Sequence, residues 1–185
     1  MEVIKTPISG LLIIEPRVFE DDRGYFFESY QKERYIQNGI DCDFMQDNEA
    51  KSVKGVVRGL HYQLAPFAQS KLVRVVLGTV FDVAVDLRKG SPTFGEWFGI
   101  ELSADNKKQF FVPRGFAHGY SVLSETAIFS YKCDNVYNKE SERSVNINDP
   151  KLNIDWKIEL NQQIVSEKDI DAPFFEDAEM NFRFK

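Results

Sequence analysis

Short apolar segments separated by turn-forming residues make up most of the hydropathy pattern of this chain. In the segment FDVAVDL, alternate residues from Phe81 to Leu87 are apolar, whereas Asp82 and Asp86 fall on the opposite face of an extended strand. The other apolar runs are mostly four to eight residues long and rich in Val, Ile, Phe and Tyr. This pattern is typical of β-strands, and segments such as EDDRG are typical of the turns between them.

Helical patterns are few and short. The segment QKERYIQNG predicts one helix that ends at a glycine C-cap, and SEKDIDAPFF predicts a short helix or turn. Many short strands without long helices between them favour a β-sandwich, a barrel or a jelly roll. No repeat, low-complexity segment or linker interrupts the pattern, so we expect a single domain over residues 1–185.

Composition and charge narrow the possible functions. Hydrophobic residues make up 43% of the chain and aromatic residues 14%, which is enough for a packed core. The net charge of −6, without a basic stripe, argues against nucleic-acid binding. Cys42 and Cys133 form no CxxC motif, as expected of a reduced protein. The apolar run in MEVIKTPISGLLIIEPR is too short for a signal or membrane segment, so we expect a cytoplasmic protein with no membrane partner.

The two histidines are the most informative single residues: His61 lies in RGLHYQ and His118 in PRGFAHGY. His61 has three candidate roles, as a metal ligand, a structural residue in a strand or a general base. A metal site is poorly supported, because Gln63 is a weak ligand and the sequence has no HxH or HxxxE pattern. Partly buried structural histidines are common, whereas an ordinary pKa of about 6.5 suits general-base catalysis.

A catalytic site that contains both Arg58 and His61 requires an irregular backbone between them. In a regular strand, Arg58 and His61 point to opposite faces. Both can enter one site only if the strand bulges or bends, for which Gly59 is suitable. A base also needs an orienting group and a group that stabilises the charge it creates. The residue pattern alone does not choose among the three roles.

A set of motifs spread along the chain is more specific than any single residue. In order, the motifs are DDRGYFFES, MQDNEA, GVVRGLHYQ, SKLVRVVLGTVFDVAVDLRKGSPTFG, FFVPRGFAHGY, YKCDNVYNKESE, NDP and SEKD. From about residue 2 to about residue 180, the sequence thereby resembles the dTDP-4-dehydrorhamnose 3,5-epimerase family of the cupin superfamily. The resemblance implies an all-β cupin-type jelly roll (a double-stranded β-helix) with a few short helices. It also implies a homodimer with shared active sites that uses no metal and no organic cofactor.

The reaction implied by the resemblance is epimerisation of dTDP-4-dehydro-6-deoxy-D-glucose at C3 and C5, which gives dTDP-4-dehydro-L-rhamnose. Four catalytic residues carry over: His61 as the base, Asp169 as its partner, Lys71 as the group that stabilises the C4 oxyanion, and Tyr131 as the proton donor. A lysine ammonium is a compact positive charge that favours an enolate. A phenol with a pKa of about 10 stays protonated at neutral pH and can deliver a proton.

The resemblance also implies a set of substrate-binding residues. Arg58 and Lys168 match contacts to the diphosphate or the sugar, and Tyr137 matches an aromatic residue that stacks on the thymine ring. A segment that reaches into the partner subunit's site is expected to contain Arg23, Phe26 and Glu28. The other ligand contacts are Gln46, Asn48, His118 and Glu142, with Asp82 as a suggested support for His118.

One departure from the family pattern leaves substrate choice open. Asn135 and Val136 stand where the family more often has an acid and a second aromatic residue, although Tyr137 is retained. One alternative function is a mono-epimerase of a related nucleotide-linked 4-keto-6-deoxy sugar. Others are a non-catalytic sugar-nucleotide-binding protein and a metal-dependent cupin dioxygenase. Retention of His61 and Tyr131 favours proton transfer, but it does not determine how many carbons invert.

Overall fold

The structure is a computed structural model that describes residues 1–184. Its strands are β1 (Glu2–Lys5), β2 (Leu12–Glu15), β3 (Val18–Asp21), β4 (Gly24–Phe27), β5 (Gln46–Val53), β6 (Val57–Gln63), β7 (Lys71–Leu77), β8 (Thr79–Asp86), β9 (Trp97–Ser103), β10 (Gln109–Val112), β11 (Phe116–Val122), β12 (Thr126–Cys133) and β13 (Glu142–Ser144). Its helices are α1 (Lys32–Gln37), α2 (Glu167–Ile170) and a 3₁₀ helix (Leu160–Gln162).

Two antiparallel sheets form the body of the molecule. The six-stranded sheet has the order β1-β2-β10-β7-β12-β5, and the five-stranded sheet has the order β13-β6-β11-β8-β9. Strands β3 and β4 form a separate hairpin. Val73 and Phe129 of the first sheet pack with Ala84 and Tyr120 of the second in one core. This arrangement of antiparallel sheets confirms the expected all-β jelly roll.

The alternation in FDVAVDL is present in β8, but both faces of the strand are buried. Ala84 packs in the core between the two sheets, whereas Val83 and Val85 pack in a second core with residues of the C-terminal segment, such as Trp156. Asp82, on the inner face, is 0% exposed. The polar positions of this strand therefore do not mark a solvent-facing side.

Both predicted helical segments form short helices. The side chain of Gln31 caps α1 by accepting a hydrogen bond from the Arg34 N–H at 2.6 Å, and Gly39 follows its end with φ of +88°. In α2, Ser166 Oγ accepts from the Asp169 N–H at 3.2 Å. This cap places a buried aspartate beside β6, where the first candidate residues lie.

Candidate active site

A bulge in β6 brings Arg58 and His61 to the same side of the sheet. Two residues separate Arg58 from His61, whereas one residue separates their partners on β11. Gly59, inside the bulge, has φ of +143°, and a Cβ atom there would lie 2.7 Å from the Cα of Gly119. Only glycine fits this approach, so the irregularity that the sequence required at Gly59 is confirmed.

His61 is held by a carboxylate from α2. Its Nε2 lies 2.7 Å from Oδ1 of Asp169, and the side chains of His61 and Asp169 are 33% and 5% exposed. The Gly59 N–H donates to Asp169 Oδ2 at 3.5 Å. An ionised carboxylate only accepts hydrogen bonds, so Nε2 carries a proton and Nδ1 is left as the proton acceptor. The predicted pairing of these two side chains is therefore present.

The pairing predicts a pH-dependent contribution of Asp169 to stability. Burial raises the pKa of Asp169, but the hydrogen bonds from His61, Gly59 and Ser166 outweigh it and lower the pKa below the ordinary 3.8. The contribution is therefore complete above the unfolded-state pKa and is lost as the pH falls through the lowered folded-state pKa. We expect Asp169→Asn to cost about 1 kcal/mol of unfolding free energy at neutral pH and to flatten its decline in acid.

Urea unfolding of the wild type and of Asp169→Asn over a series of pH values measures the pH dependence of the unfolding free energy. The matched control is Asp105→Asn, because Asp105 is an exposed carboxylate in a turn. The control should follow the wild-type profile. An Asp169→Asn protein with the wild-type slope in acid would contradict the assignment.

Lys71 and Tyr131 lie on the opposite, six-stranded sheet. The Nζ of Lys71 is 5.9 Å from the centroid of the Tyr131 ring, and within residues 1–184 no carboxylate forms a salt bridge with it. Burial lowers the pKa of Lys71, and attraction to Cys133 and to the carboxylate of Asp82 offsets only part of this effect. Burial also raises the pKa of Tyr131 to about 12, so its phenol is protonated at neutral pH.

His118 lies directly opposite His61 on β11. Its Nε2 lies 2.9 and 3.0 Å from the two carboxylate oxygens of Asp82, so the suggested support is present. Burial raises the pKa of Asp82, although attraction to His118 and Lys71 opposes the change. Asp82 therefore connects the two walls of the site electrostatically.

These side chains enclose a small cavity between the two sheets. It has a volume of about 140 Å³, and its lining residues are Ala50, Arg58, His61, Lys71, His118, Gly119, Tyr120, Phe129 and Tyr131. Five residues predicted from the sequence thus meet in one place. A larger open groove of about 910 Å³ lies along residues 147–163, and none of the predicted site residues lines it.

A second group of predicted residues is joined by hydrogen bonds. Gln46 Nε2 donates to Asn48 Oδ1 at 3.1 Å, and Gln46 Oε1 accepts from the backbone N–H of Tyr137 at 3.1 Å. The Tyr137 hydroxyl donates to Glu142 at 3.1 Å, and Lys168 Nζ lies 2.6 Å from the same carboxylate oxygen. Burial raises the pKa of Glu142, but Lys168, Tyr137 and the nearby His61 lower it overall.

The third group lies apart from the cavity in this chain. Arg23, in the β3–β4 turn, has an 89% exposed side chain that pairs with Asp21. Phe26 is 70% exposed, and Glu28 pairs with Arg34 at 2.9 Å. None of the three predicted residues in this group lines the cavity, so within one chain they remain separate from the other candidates.

Sequence reasoning did not single out Tyr120, Ser52 or Phe129. Tyr120 and Phe129 line the cavity, and Ser52 accepts a hydrogen bond from Arg58 Nε at 3.1 Å. A signal for Tyr120 was available, because residues two apart in a strand share a face and His118 was already a candidate.

Of the two departures from the family pattern, Val136 is 48% exposed, whereas Asn135 donates to the Pro66 carbonyl at 3.2 Å.

The fold and the cavity define a cupin-type jelly-roll protein whose cavity is lined by two histidines, a lysine and a tyrosine. A family model described as dTDP-4-dehydrorhamnose 3,5-epimerase matches residues 5–177. The chain therefore belongs to the dTDP-4-dehydrorhamnose 3,5-epimerase family and is an epimerase. A curated relative, the dTDP-4-dehydrorhamnose 3,5-epimerase of Shigella flexneri, is 53% identical over 180 residues, which cover 97% of this chain and 98% of the relative.

Solved structures agree in sequence and in shape. The dTDP-4-dehydrorhamnose 3,5-epimerase of Elizabethkingia anophelis NUHP1 is 59% identical with a TM-score of 0.91, and the match covers 96% of this chain and 97% of that one. The dTDP-6-deoxy-D-glucose-3,5-epimerase of Legionella pneumophila Philadelphia 1, solved with dTDP-4-keto-L-rhamnose, is 51% identical with a TM-score of 0.91. That match covers 95% of this chain and 93% of the Legionella chain.

Two further features concern residues 1–184. None of the helices there has the length and apolar character needed to cross a membrane. In the same residues, no group of three or more His, Cys, Asp or Glu side chains is placed to hold a metal ion.

Proposed function

We propose that the protein epimerises dTDP-4-dehydro-6-deoxy-D-glucose at C3 and C5 to form dTDP-4-dehydro-L-rhamnose. Inversion of a carbon requires proton removal from one face and proton delivery to the other. The observation that carries the proposal is that His61 and Tyr131 come from opposite sheets and line the same cavity. The substrate class is supported by membership of the family and by the sugar nucleotide named for the Legionella relative.

His61 acts as the general base in this mechanism. Asp169 accepts the hydrogen bond from Nε2, holds one tautomer and favours the imidazolium that forms when Nδ1 takes a proton from carbon. The protons at C3 and C5 are each acidified by the adjacent C4 ketone. Removal of either proton moves the C–H electron pair into an enolate whose negative charge lies mainly on the C4 oxygen.

Lys71 stabilises that oxygen. Its ammonium is partly buried, and no described carboxylate forms a salt bridge with it, so its charge is available to the substrate. In a site with little water, a positive charge at close range is worth more than it is in solvent. His118, held by Asp82 beside Lys71 and His61, supplies a further polar side chain to the same cavity.

Tyr131 completes each inversion. Its phenol donates a proton to the face of the carbon opposite His61, and the enolate electrons return to form the new C–H bond. The phenolate then takes up a proton from solvent, and the imidazolium loses one, so the pair is reset for the second carbon. The raised pKa of Tyr131, about 12, means that the phenol is fully protonated before each turnover.

The remaining candidates hold the nucleotide. Arg58 and Lys168 contact the diphosphate, and Tyr137, which is 54% exposed and therefore accessible to a ligand, stacks on thymine. The other polar contacts come from Gln46, Asn48 and Glu142. Gln46 accepts from the backbone of Tyr137 and donates to Asn48, and Glu142 accepts from the Tyr137 hydroxyl and pairs with Lys168.

The site is completed in a homodimer. The β3–β4 hairpin presents Phe19, Tyr25 and Phe26, which are 51%, 57% and 70% exposed. Exposed aromatic residues on a hairpin that is separate from the two main sheets are typical of a surface that another chain covers. Arg23, Phe26 and Glu28 would then contact the nucleotide bound in the partner subunit's cavity.

Proton NMR of dTDP-4-dehydro-6-deoxyglucose incubated with the protein in D₂O tests the reaction. We expect deuterium to replace hydrogen at both C3 and C5. Replacement at one carbon would overturn the double epimerisation in favour of a mono-epimerase. No replacement at either carbon would overturn the catalytic proposal and favour a binding protein or another nucleotide sugar.

A further inference from the structure

The hydroxyl of Tyr120 is a buried polar group without a partner. The residue is 6% exposed, and its Oη atom has no hydrogen-bond partner of normal geometry among residues 1–184. The ring is held firmly, because it stacks on Phe129 with a centroid distance of 4.2 Å and an interplanar angle of 16°. Both rings line the cavity that contains His61 and Tyr131.

The neighbours of Tyr120 place it at the Arg58 end of the cavity. Tyr120 pairs with Arg58 across β6 and β11. Ser52 is near enough to lower the pKa of Tyr120, but no hydrogen bond of normal geometry joins the two hydroxyls, and Ser52 Oγ already accepts from Arg58. Burial outweighs these effects and raises the pKa of Tyr120, so the hydroxyl remains protonated and can donate.

An unpaired hydroxyl in this position needs a physical reason. A buried donor that lacks an acceptor destabilises the folded protein, whereas phenylalanine would keep the same stacking contact without that cost. Most buried polar atoms in proteins have a partner, and exceptions are commonly explained by function. Because Tyr120 lines the substrate cavity, its missing partner is best supplied by a ligand.

The hexose offers few atoms for this hydrogen bond. In the mechanism above, C3 and C5 react, the C4 oxygen contacts Lys71, C6 is a methyl group and C1 carries the diphosphate. The C3 hydroxyl changes sides when C3 inverts, so a fixed side chain cannot hold it throughout. The C2 hydroxyl keeps its configuration and lies next to C1, the end that Arg58 binds.

We propose, on the basis of the function proposed above, that the Tyr120 hydroxyl hydrogen-bonds the C2 hydroxyl of the sugar. Tyr120 thereby selects nucleotide sugars that carry this hydroxyl over their 2-deoxy analogues. A site built around a hydrogen bond discriminates in this way because the analogue leaves a buried group unpaired. Tyr120 is thus a specificity-determining residue that takes no part in the proton transfers.

The test compares kcat/KM for dTDP-4-dehydro-6-deoxyglucose and for its 2-deoxy analogue in the wild type and in Tyr120→Phe. We expect the wild type to prefer the hydroxylated sugar and the variant to lose about tenfold or more of that preference. Most of this loss should come from a lower kcat/KM for the hydroxylated sugar. Removing an unpaired hydroxyl should leave the unfolding temperature unchanged or raise it.

Tyr62→Phe is the matched control. Tyr62 is another buried tyrosine of the five-stranded sheet, but its hydroxyl donates to the Glu179 carbonyl at 2.5 Å and it lies outside the cavity. This variant should keep the wild-type preference and unfold at a temperature about 2–4 °C lower. If the wild type and Tyr120→Phe show the same preference for the hydroxylated sugar, the inference about Tyr120 is overturned and the proposed function is not affected. A wild type without deuterium exchange would overturn the proposed function and this inference with it.

Discussion

Replacing His61 with alanine is expected to abolish deuterium exchange at both C3 and C5 of dTDP-4-dehydro-6-deoxyglucose. In the proposed mechanism, Nδ1 of His61 is the only acceptor for both protons, and Asp169 acts only through it. Removing a general base commonly costs about 10²–10⁴ in rate, and the loss here should lie at the upper end because neither carbon has a second base. NMR in D₂O and steady-state kinetics measure the effect.

His61→Asn serves as a second variant that keeps a polar side chain near Asp169. It should unfold cooperatively like the wild type and bind dTDP with unchanged affinity, yet show the same loss of exchange. The His61 side chain is 33% exposed, so its removal leaves no large apolar hole. Exchange that persists at one carbon would mean that a different base serves that carbon, and normal turnover would disprove the assignment.

The strands and their faces could be predicted from the sequence because side-chain alternation is a local property. Period-two alternation in FDVAVDL corresponds to β8, and the glycine-terminated segment QKERYIQNG corresponds to α1. An irregularity at Gly59 could also be predicted, because a regular strand would place Arg58 and His61 on opposite faces. Each of these predictions depends on residues close together in the chain.

Contacts between distant segments could not be derived from the same pattern. Asp169 lies 108 residues from His61 in sequence, and nothing in SEKD indicates that its last residue lies against β6. The resemblance to a known family supplied that pairing. The buried state of Asp82 was likewise hidden, because the hydropathy pattern cannot distinguish a strand face that meets solvent from one that lines an internal cavity.

The unpaired hydroxyl of Tyr120 illustrates what only coordinates provide. Residues two apart share a strand face, so the sequence could place Tyr120 beside His118. The lack of a hydrogen-bond partner depends on Ser52 and Arg58, which lie on other strands and bond to each other. The position of Tyr120 on the strand face could therefore be predicted from the sequence, whereas the absence of a partner for its hydroxyl could not.

Tyr131→Phe is expected to separate proton removal from inversion. The variant keeps the ring beside Phe129, at a centroid distance of 5.9 Å, and removes only the transferable proton. His61 can still form the enolate, exchange its proton with solvent and return a deuteron to the same face. The product of this variant should therefore be deuterated sugar with its original configuration, while formation of dTDP-4-dehydro-L-rhamnose falls by about 10² or more.

The ratio of exchange to inversion distinguishes this prediction from general damage to the site. A misfolded or poorly binding variant would lose both processes together, whereas loss of the acid alone raises exchange relative to inversion. Because burial raises the pKa of Tyr131 to about 12, wild-type inversion should not be limited by loss of the phenol proton at neutral pH. If Tyr131→Phe forms the inverted product at the wild-type rate, another group on the six-stranded sheet delivers the proton.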